Sequence, residues 1–463
     1  MPRSQRSSLW LWISVALLTT LLIALVGYII SRVFETPKVS VTFSNQPVQT
    51  IAPVSTVSAH TAKPSPTSGI TQATTPQPNA TKMLPTLQPT SESLPTDAAP
   101  GEDSAAALAA RGLRRERHED DNEGALRDYN AAIDRDPQFA IAYYLRAALY
   151  LKMDKKTAAQ SDYTKALALD SSSIPALYHR GRVEFNLGND QQGLEIYDQI
   201  IAMGVEYAPL YYTRGVHFLD GENYPDAIAD FTKVIQLDSH MSDAYYNRGY
   251  SYDKLGDYQT ALADYTAAIR EEPNFFAAYY NRGYLYRYSF GDYQKALVDF
   301  NMAIKLRPND APSHCERGSV RAQLGEVEAG IADISHAIEL DPNYICAYWS
   351  RGRIYNTIGE YRKAITDFDS YIALDPSYSS AYIERGYARS KLGDQQGALE
   401  DYQHASTLNP SDPIPYQNMG SVYRLLNDHK SAIQYWQRAA DLYQQQGKIQ
   451  QYQHMLDLIA SIQ

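Results

Sequence analysis

Ten times in succession a small residue falls at the same phase of a 34-residue register: Ala125, Ala159, Gly193, Ala227, Ala261, Ala296, Gly330, Ala364, Ala398 and Ala432, with one extra residue slipped in before Ala296. Four residues after each comes a large apolar one: Tyr129, Tyr163, Tyr197, Phe231, Tyr265, Phe300, Ile334, Phe368, Tyr402 and Trp436. Twelve residues before most of them lies a second small residue, as in Ala147, Gly181, Gly215, Gly249, Gly318, Gly352, Gly386 and Gly420, with Gly112 and Gly283 offset by one. A side chain longer than a methyl group at either small position holds two helix axes apart, and the large residue fills the space beside the crossing. Such recurrence builds stacked helical units rather than one globular core, and it points to a binding scaffold more than to an enzyme.

The unit is clearest over residues 242–275. Tyr245, Gly249 and Tyr252 lie on one face at helical spacing, and Leu255 precedes a stop signal. Gly256 can take the left-handed conformation that ends a helix, and Asp257 can cap the next. Ala261, Leu262, Tyr265, Ala268 and Ile269 then form the apolar stripe of a second helix, and Pro273 blocks its continuation. Pro137, Pro308, Pro342, Pro376 and Pro410 close other units at the same phase.

The pattern Tyr245, Gly249, Tyr252, Ala261, Tyr265, Ala268, Pro273 resembles the tetratricopeptide repeat. The resemblance covers ten units: 105–139, 140–173, 174–207, 208–241, 242–275, 276–310, 311–344, 345–378, 379–412 and 413–446. It implies an all-α fold, a right-handed α-solenoid of about ten helix-turn-helix repeats, with a capping helix in 447–463 that presents Tyr452, Met455, Leu456 and Ile459. One departure is systematic. The family usually places an apolar residue before the Gly of the first helix, whereas this chain has Arg111, Arg146, Arg180, Arg214, Arg248, Arg282, Arg317, Arg351 and Arg385. Asp precedes the large apolar residue of the second helix at Asp128, Asp162, Asp230, Asp264, Asp299, Asp333, Asp367 and Asp401, and the last unit lacks both partners, having Met419 and Tyr435. The expectation is an internal ladder of Arg and Asp pairs, the alternative a row of arginines that recruits anions. Arg180 is the awkward rung, because Ile196 replaces its partner. A second departure lies at Met203, Gly204 and Val205, where the usual Asp-Pro ending is missing and the array is expected to bend or divide.

Charge narrows the partners. Residues 1–104 hold six Lys or Arg against five Asp or Glu, so of the formal −11 the remainder of the chain carries −12. Sequence-independent nucleic-acid binding relies on clustered positive charge, so no nucleic-acid partner is expected. After a short basic segment at 1–8, an uncharged run over 9–30 is long enough to cross a hydrocarbon core of about 30 Å. Trp10, Trp12 and Tyr28 sit near its ends, and it exits through bulky residues rather than a small-residue cleavage site, so it reads as an uncleaved transmembrane helix. Residues 31–104 are expected to be a disordered linker, because nearly half of 36–104 is Pro, Ser or Thr. Arg3, Arg6 and the terminal amine precede the span while Arg32 and Lys38 follow it, a small asymmetry that together with the stalk-like Pro-, Ser- and Thr-rich segment favours an inside N-terminus with the repeats on the extracytoplasmic side of a single-pass membrane protein.

No glycine-rich phosphate loop, paired-cysteine metal motif, HExxH helix or Gly-x-Ser-x-Gly elbow is present, so no cofactor, metal or catalytic residue is expected. The acidic run from His118 to Glu123 falls at a turn and reads as solvated. Cys315 and Cys346 lie on first helices of adjacent units, either paired in an oxidising compartment or left as two thiols.

Binding is therefore the function to place. With Tyr245, Gly249 and Tyr252 committed to packing, the opposite stripe of the first helix is Asp243, Tyr246, Asn247, Tyr250 and Asp253. The family resemblance implies that this stripe lines a concave groove holding a protein or peptide partner. Neighbouring rows add Tyr212, Tyr280, Asn281, Tyr284, Arg287, Trp349, Arg353 and Tyr387. Asn amides can hold a peptide backbone, and Tyr and Trp offer contact area at low entropic cost. The competing reading is that these tyrosines simply pack. The preferred function is a membrane-tethered interaction scaffold, and the alternative is an extracytoplasmic carrier or sensor of a glycan or small molecule.

Overall fold

A computed structural model describes residues 104–463. The expected membrane span over 9–30, and the linker over 31–104 apart from its last residue, lie outside the described residues. Ser104 caps the first helix through its hydroxyl, which accepts from the Ala107 amide at 3.2 Å. Among the described residues the secondary structure is entirely helical, with twenty-one α-helices and one π-helical turn, and no helix is long and apolar enough to cross a membrane.

The helices come in pairs of nearly constant length. In the fifth unit the first helix, Ser242–Lys254, ends at Leu255; Gly256 takes φ +83°, and the Asp257 carboxylate accepts from the Thr260 amide at 3.2 Å to start the second, Tyr258–Glu271. The first unit departs from this form, because Ala105–Arg114 runs on into the π turn Arg115–Glu119 before Asn122–Arg135 begins. The extra residue of the sixth unit is absorbed in the turn between Phe276–Tyr288 and Tyr293–Leu306. After the tenth pair, Ile449–Ala460 lays Met455 and Ile459 on Trp436, Ala439 and Tyr443.

In the first, fifth and seventh units the small residues of the two helices meet directly. A Cβ on Gly249 would lie 3.0 Å from the Asp264 Cβ and 3.2 Å from the Ala261 carbonyl oxygen, and one on Gly318 would lie 2.6 Å from the Gly330 carbonyl oxygen. The large apolar residues beside these crossings, from Tyr129 to Trp436, are all buried. They form a series of local clusters, each shared between neighbouring helices, in place of one core. In most neighbouring pairs of units the first helices also touch one another, which makes them the inner layer of the stack, while each second helix packs between the first helices of its own and the next unit.

The close crossing brings the Arg before each small residue within reach of the second helix. Arg248 grips Asp264 through Nε and Nη2, both at 2.8 Å, and the same two-pronged bond joins Arg282 to Asp299, Arg317 to Asp333 and Arg351 to Asp367 at 2.7–2.9 Å. Arg146, Arg214 and Arg385 hold Asp162, Asp230 and Asp401 in the same manner, and Arg111 reaches Asp128 with one prong. The remaining Nη1 points the other way. It donates to the residue two after the Asp position on the preceding unit's second helix, a position that Ile196 fills in the third unit: Asn130, Asp198, Thr232, Thr266, Asn301, Ser335 and Asp369. Each such guanidinium thus ties its own second helix to the one before it. Arg180, lacking an Asp, turns to Glu184 one turn along its own helix and keeps only the backward bond, to Thr164 at 3.1 Å. Glu184 is fully buried and is further held by Gln160 and Asn189.

The irregular third unit also has the loosest junction. Asp190–Ala202 ends at Met203 and Gly204, with φ +80° at the glycine, and it meets the next first helix, Ala208–Asp220, over a smaller surface than any other second helix meets its successor. Tyr207 restores some packing by standing edge-on to Tyr178, 5.8 Å between ring centres.

Apart from the first rung, where the Arg111 side chain is half-exposed, the ladder pairs are desolvated. In the Arg282 and Asp299 rung the side chains are 16% and 2% exposed. Burial raises the Asp299 carboxyl above its ordinary value and Arg282 pulls it back. Removing Arg282 leaves that carboxylate buried alone, at a cost of about 3–5 kcal/mol, whereas an exposed pair would contribute about 0–1. The expected result is that Arg282→Met lowers the urea midpoint strongly and that adding Asp299→Leu recovers most of the loss; a double variant no more stable than the single one contradicts a buried, mutually dependent pair.

Candidate functional site

The stripe expected to line a groove lies on the first helices, and its accessible positions are their second, fifth, ninth, twelfth and thirteenth residues. In the fifth unit these are Asp243, Tyr246, Tyr250, Asp253 and Lys254. The sequence-derived candidates divide by burial. Tyr212, Asn247 and Tyr280 are buried, at 2%, 3% and 7% exposure. Tyr246, Tyr250, Asn281, Tyr284, Arg287, Trp349 and Tyr387 are half-buried, and Arg353 is exposed.

The asparagines do something other than hold a peptide backbone. The Asn247 amide nitrogen donates to the Tyr212 hydroxyl at 3.2 Å, and the Asn281 amide nitrogen donates to the Tyr246 hydroxyl at 3.0 Å, the same bond repeated one unit on. Each joins adjacent first helices. Buried as it is, the Asn247 amide is unavailable to a partner; the stripe rule ranked positions by helical phase and could not see that a tyrosine one unit away would consume the amide. Tyr212 and Tyr280 likewise turn edge-on to Phe231 and Phe300, at 5.8 Å in both cases.

The accessible remainder is aromatic, with cations laid across it. The Lys254 ammonium sits 5.0 Å from the Tyr250 ring centre, and Lys391 sits 5.3 Å from that of Tyr387. Tyr284 and Tyr288 pack at 4.3 Å, and the Arg287 guanidinium lies 4.4 Å over Tyr288. Arg287 also pairs with Glu316, which is buried. Burial alone would lower the Arg287 guanidinium, and the Glu316 charge overrides it and holds the group above its ordinary value. Trp349 is braced by Phe368, Tyr371 and Tyr378, and Arg353 lies over its ring at 5.7 Å. Each such contact contributes about 0.5–1 kcal/mol where exposed and more where dry. Sequence reasoning missed Lys254, Tyr288, Glu316, Asn356, Glu384 and Lys391. The lysines were within its reach, since both occupy the thirteenth position, one turn beyond a tyrosine that was named.

The cysteines are two free thiols, Cys315 buried and Cys346 half-buried, and burial pushes both above the ordinary thiol range.

Asp243 sits on the same stripe, and its carboxyl is pushed up to about 6, mainly by burial and further by the like charge of Glu272. A free Asp ionises near about 3.9, so the fold favours the neutral form: the stability this group permits is present at low pH and lost as pH climbs through the folded value. Asp243→Asn should therefore raise the urea midpoint at about pH 7.5 and leave it unchanged at about pH 3.5; a midpoint that falls at the higher pH contradicts the desolvation.

Models of the tetratricopeptide repeat match residues 140–173, 175–202, 212–258, 242–275, 276–310, 311–344, 350–413 and 415–446. No curated protein matches the chain. Among solved structures, the chain is similar to YrrB, a TPR protein with an unusual peptide-binding site, at 25% identity over 40% of this chain and 95% of that one, with a TM-score of 0.37. A tetratricopeptide repeat protein from Parabacteroides merdae is 18% identical over 54% and 98%, with a TM-score of 0.44, and PilW, a widely conserved type IV pilus biogenesis factor, is 16% identical over 44% and 94%, with a TM-score of 0.41. At TM-scores below 0.5 these likenesses carry no argument about what the chain binds. With the matched repeats covering most of the described array, and its helix pairs crossing at their small residues, the chain belongs to the tetratricopeptide repeat family.

Proposed function

We propose that this protein is a membrane-tethered interaction scaffold, anchored through residues 9–30, whose repeats stand on the extracytoplasmic side and hold an extended peptide or a helix of a partner against the first-helix stripe. One observation carries the reading: Tyr246, Tyr250, Tyr284, Trp349 and Tyr387 keep part of their surface open on the first helices of the fifth, sixth, eighth and ninth units, whereas the second-helix rings of the same units, Tyr265, Phe300, Phe368 and Tyr402, are enclosed. Large rings already braced by their neighbours lose little entropy when a partner covers them, and tyrosine, tryptophan and arginine dominate the energetics of protein interfaces. The linker over 31–104 would give the array a reach of roughly 40–50 Å from the bilayer if flexible. The net negative charge of the repeats argues against a nucleic-acid partner.

The test is site-specific photo-crosslinking from position 250 in intact cells, with protease added outside to report the side on which the repeats stand. A protein adduct that is lost in a chain carrying Tyr246→Ala with Tyr284→Ala supports the scaffold, and digestion of the repeats by the external protease supports the orientation. An adduct unchanged by those substitutions contradicts the groove. Substitutions that spare protein capture but abolish retention of a glycan or small molecule favour the carrier.

A further inference from the structure

We propose that the groove over the eighth and ninth units, between Ile345 and Lys391, recognises an acidic segment of the partner peptide, with Arg353 and Lys391 receiving its carboxylates and Trp349 and Tyr387 covering the apolar parts between them. The inference rests on the groove reading above and names the chemistry that this stretch selects.

The contrast between two sets of arginines leads to it. Most of the ladder guanidiniums use all three nitrogens in bonds to two helices at once, and their side chains are mostly closed to solvent. Arg353 has the opposite character. Its side chain is 59% exposed, it makes no hydrogen bond among the described residues, and its nearest carboxylate oxygen, on Glu384, is 3.9 Å from Nε. Glu384 is not free to close that gap, because the Asn356 amide nitrogen donates to Glu384 Oε2 at 2.9 Å and to its backbone oxygen at 3.1 Å. The Arg353 guanidinium is nevertheless held in place, 5.7 Å over a Trp349 ring that three other aromatics brace. A cation positioned in advance with open donors is suited to a carboxylate, whose two oxygens match the planar fork.

The second cation continues the line. Glu384, Tyr387 and Lys391 follow at one-turn spacing on the helix Ser379–Lys391, and the Lys391 ammonium lies 5.3 Å from the Tyr387 ring centre with no carboxylate within 4 Å among the described residues. The sequence from Trp349 through Arg353 and Tyr387 to Lys391 therefore alternates ring and cation across two adjacent first helices, with Glu384 as its one carboxylate. This is a positive strip on a strongly acidic array, so its charge is local and not a sample of the surface. Surrounding negative charge repels long polyanions while two fixed cations still select a short acidic stretch, which favours a peptide over a nucleic acid.

The experiment pans a displayed library of random decapeptides against the purified full-length chain and against chains carrying Arg353→Glu with Lys391→Glu, or Tyr250→Ala with Tyr284→Ala. The expected result is enrichment of peptides bearing Asp or Glu among apolar residues, a loss of roughly tenfold or more in their capture on the doubly charge-reversed chain, and a smaller loss with Arg353→Lys. Enrichment with no preference for acidic residues, or acidic peptides captured equally by the charge-reversed chain, overturns the proposal while leaving the groove reading intact, and so does displacement of the enriched peptides by a single-stranded oligonucleotide more readily than by an acidic peptide. No enrichment on any chain overturns the groove reading as well.

Discussion

Close approach of two helices at a pair of small residues is the constraint from which the rest of this array follows. With Gly249 against Ala261, or Gly318 against Gly330, the backbones come near enough that even a methyl group would press on a neighbouring carbonyl or Cβ. Only at that distance does an arginine one residue before the crossing find an aspartate across the interface with both prongs, and only there can a ring such as Tyr265 or Phe300 be fully enclosed. The crossing also sets the direction of the first helices, so that one stripe faces the packing while Tyr246, Tyr250 and Tyr284 on the opposite stripe stay half-buried.

The arginine fork turns a set of similar units into a coupled one. Hydrophobic clusters shared between neighbours already give a solenoid its nearest-neighbour stability. Here each buried guanidinium also spans two second helices, so that the carboxylate of one unit and a polar side chain of the unit before it depend on the same group. In the third unit a rung is missing: Arg180 finds Glu184 within its own helix and its forward tie is gone. The loose junction after it belongs to the Met203 and Gly204 ending, and Arg214 still bonds Asp198 across it. At the far end Met419 and Tyr435 replace the pair, and the capping helix closes the stack through Met455 and Ile459.

Much of this was legible from residue identity because it is local or periodic. The 34-residue register located every crossing, the Gly256 and Asp257 turn followed from backbone preference and capping chemistry, and the Arg and Asp rows stood in the sequence at matching phase. What escaped was whatever depends on a third partner. The backward arm of Arg282 to Thr266 required knowing that the preceding second helix lies on the other side of the guanidinium. The loss of Asn247 to the Tyr212 hydroxyl required knowing which residue of the preceding first helix lies alongside. A helical-phase rule assigns faces, but it cannot say which polar groups on a face will satisfy one another before any ligand arrives.

The central claim is that the forked arginines couple each unit to the one before it, beyond holding their own helix pair together. Amide hydrogen exchange on a chain carrying Arg351→Met with Asp367→Leu tests it directly, because the buried charge is removed as a pair and no uncompensated carboxylate is left behind. The account predicts faster exchange in the preceding second helix, Val327–Leu340, where Ser335 has lost its donor, as well as in Tyr361–Leu374. Exchange that quickens only in Tyr361–Leu374, with Val327–Leu340 as protected as before, would contradict it.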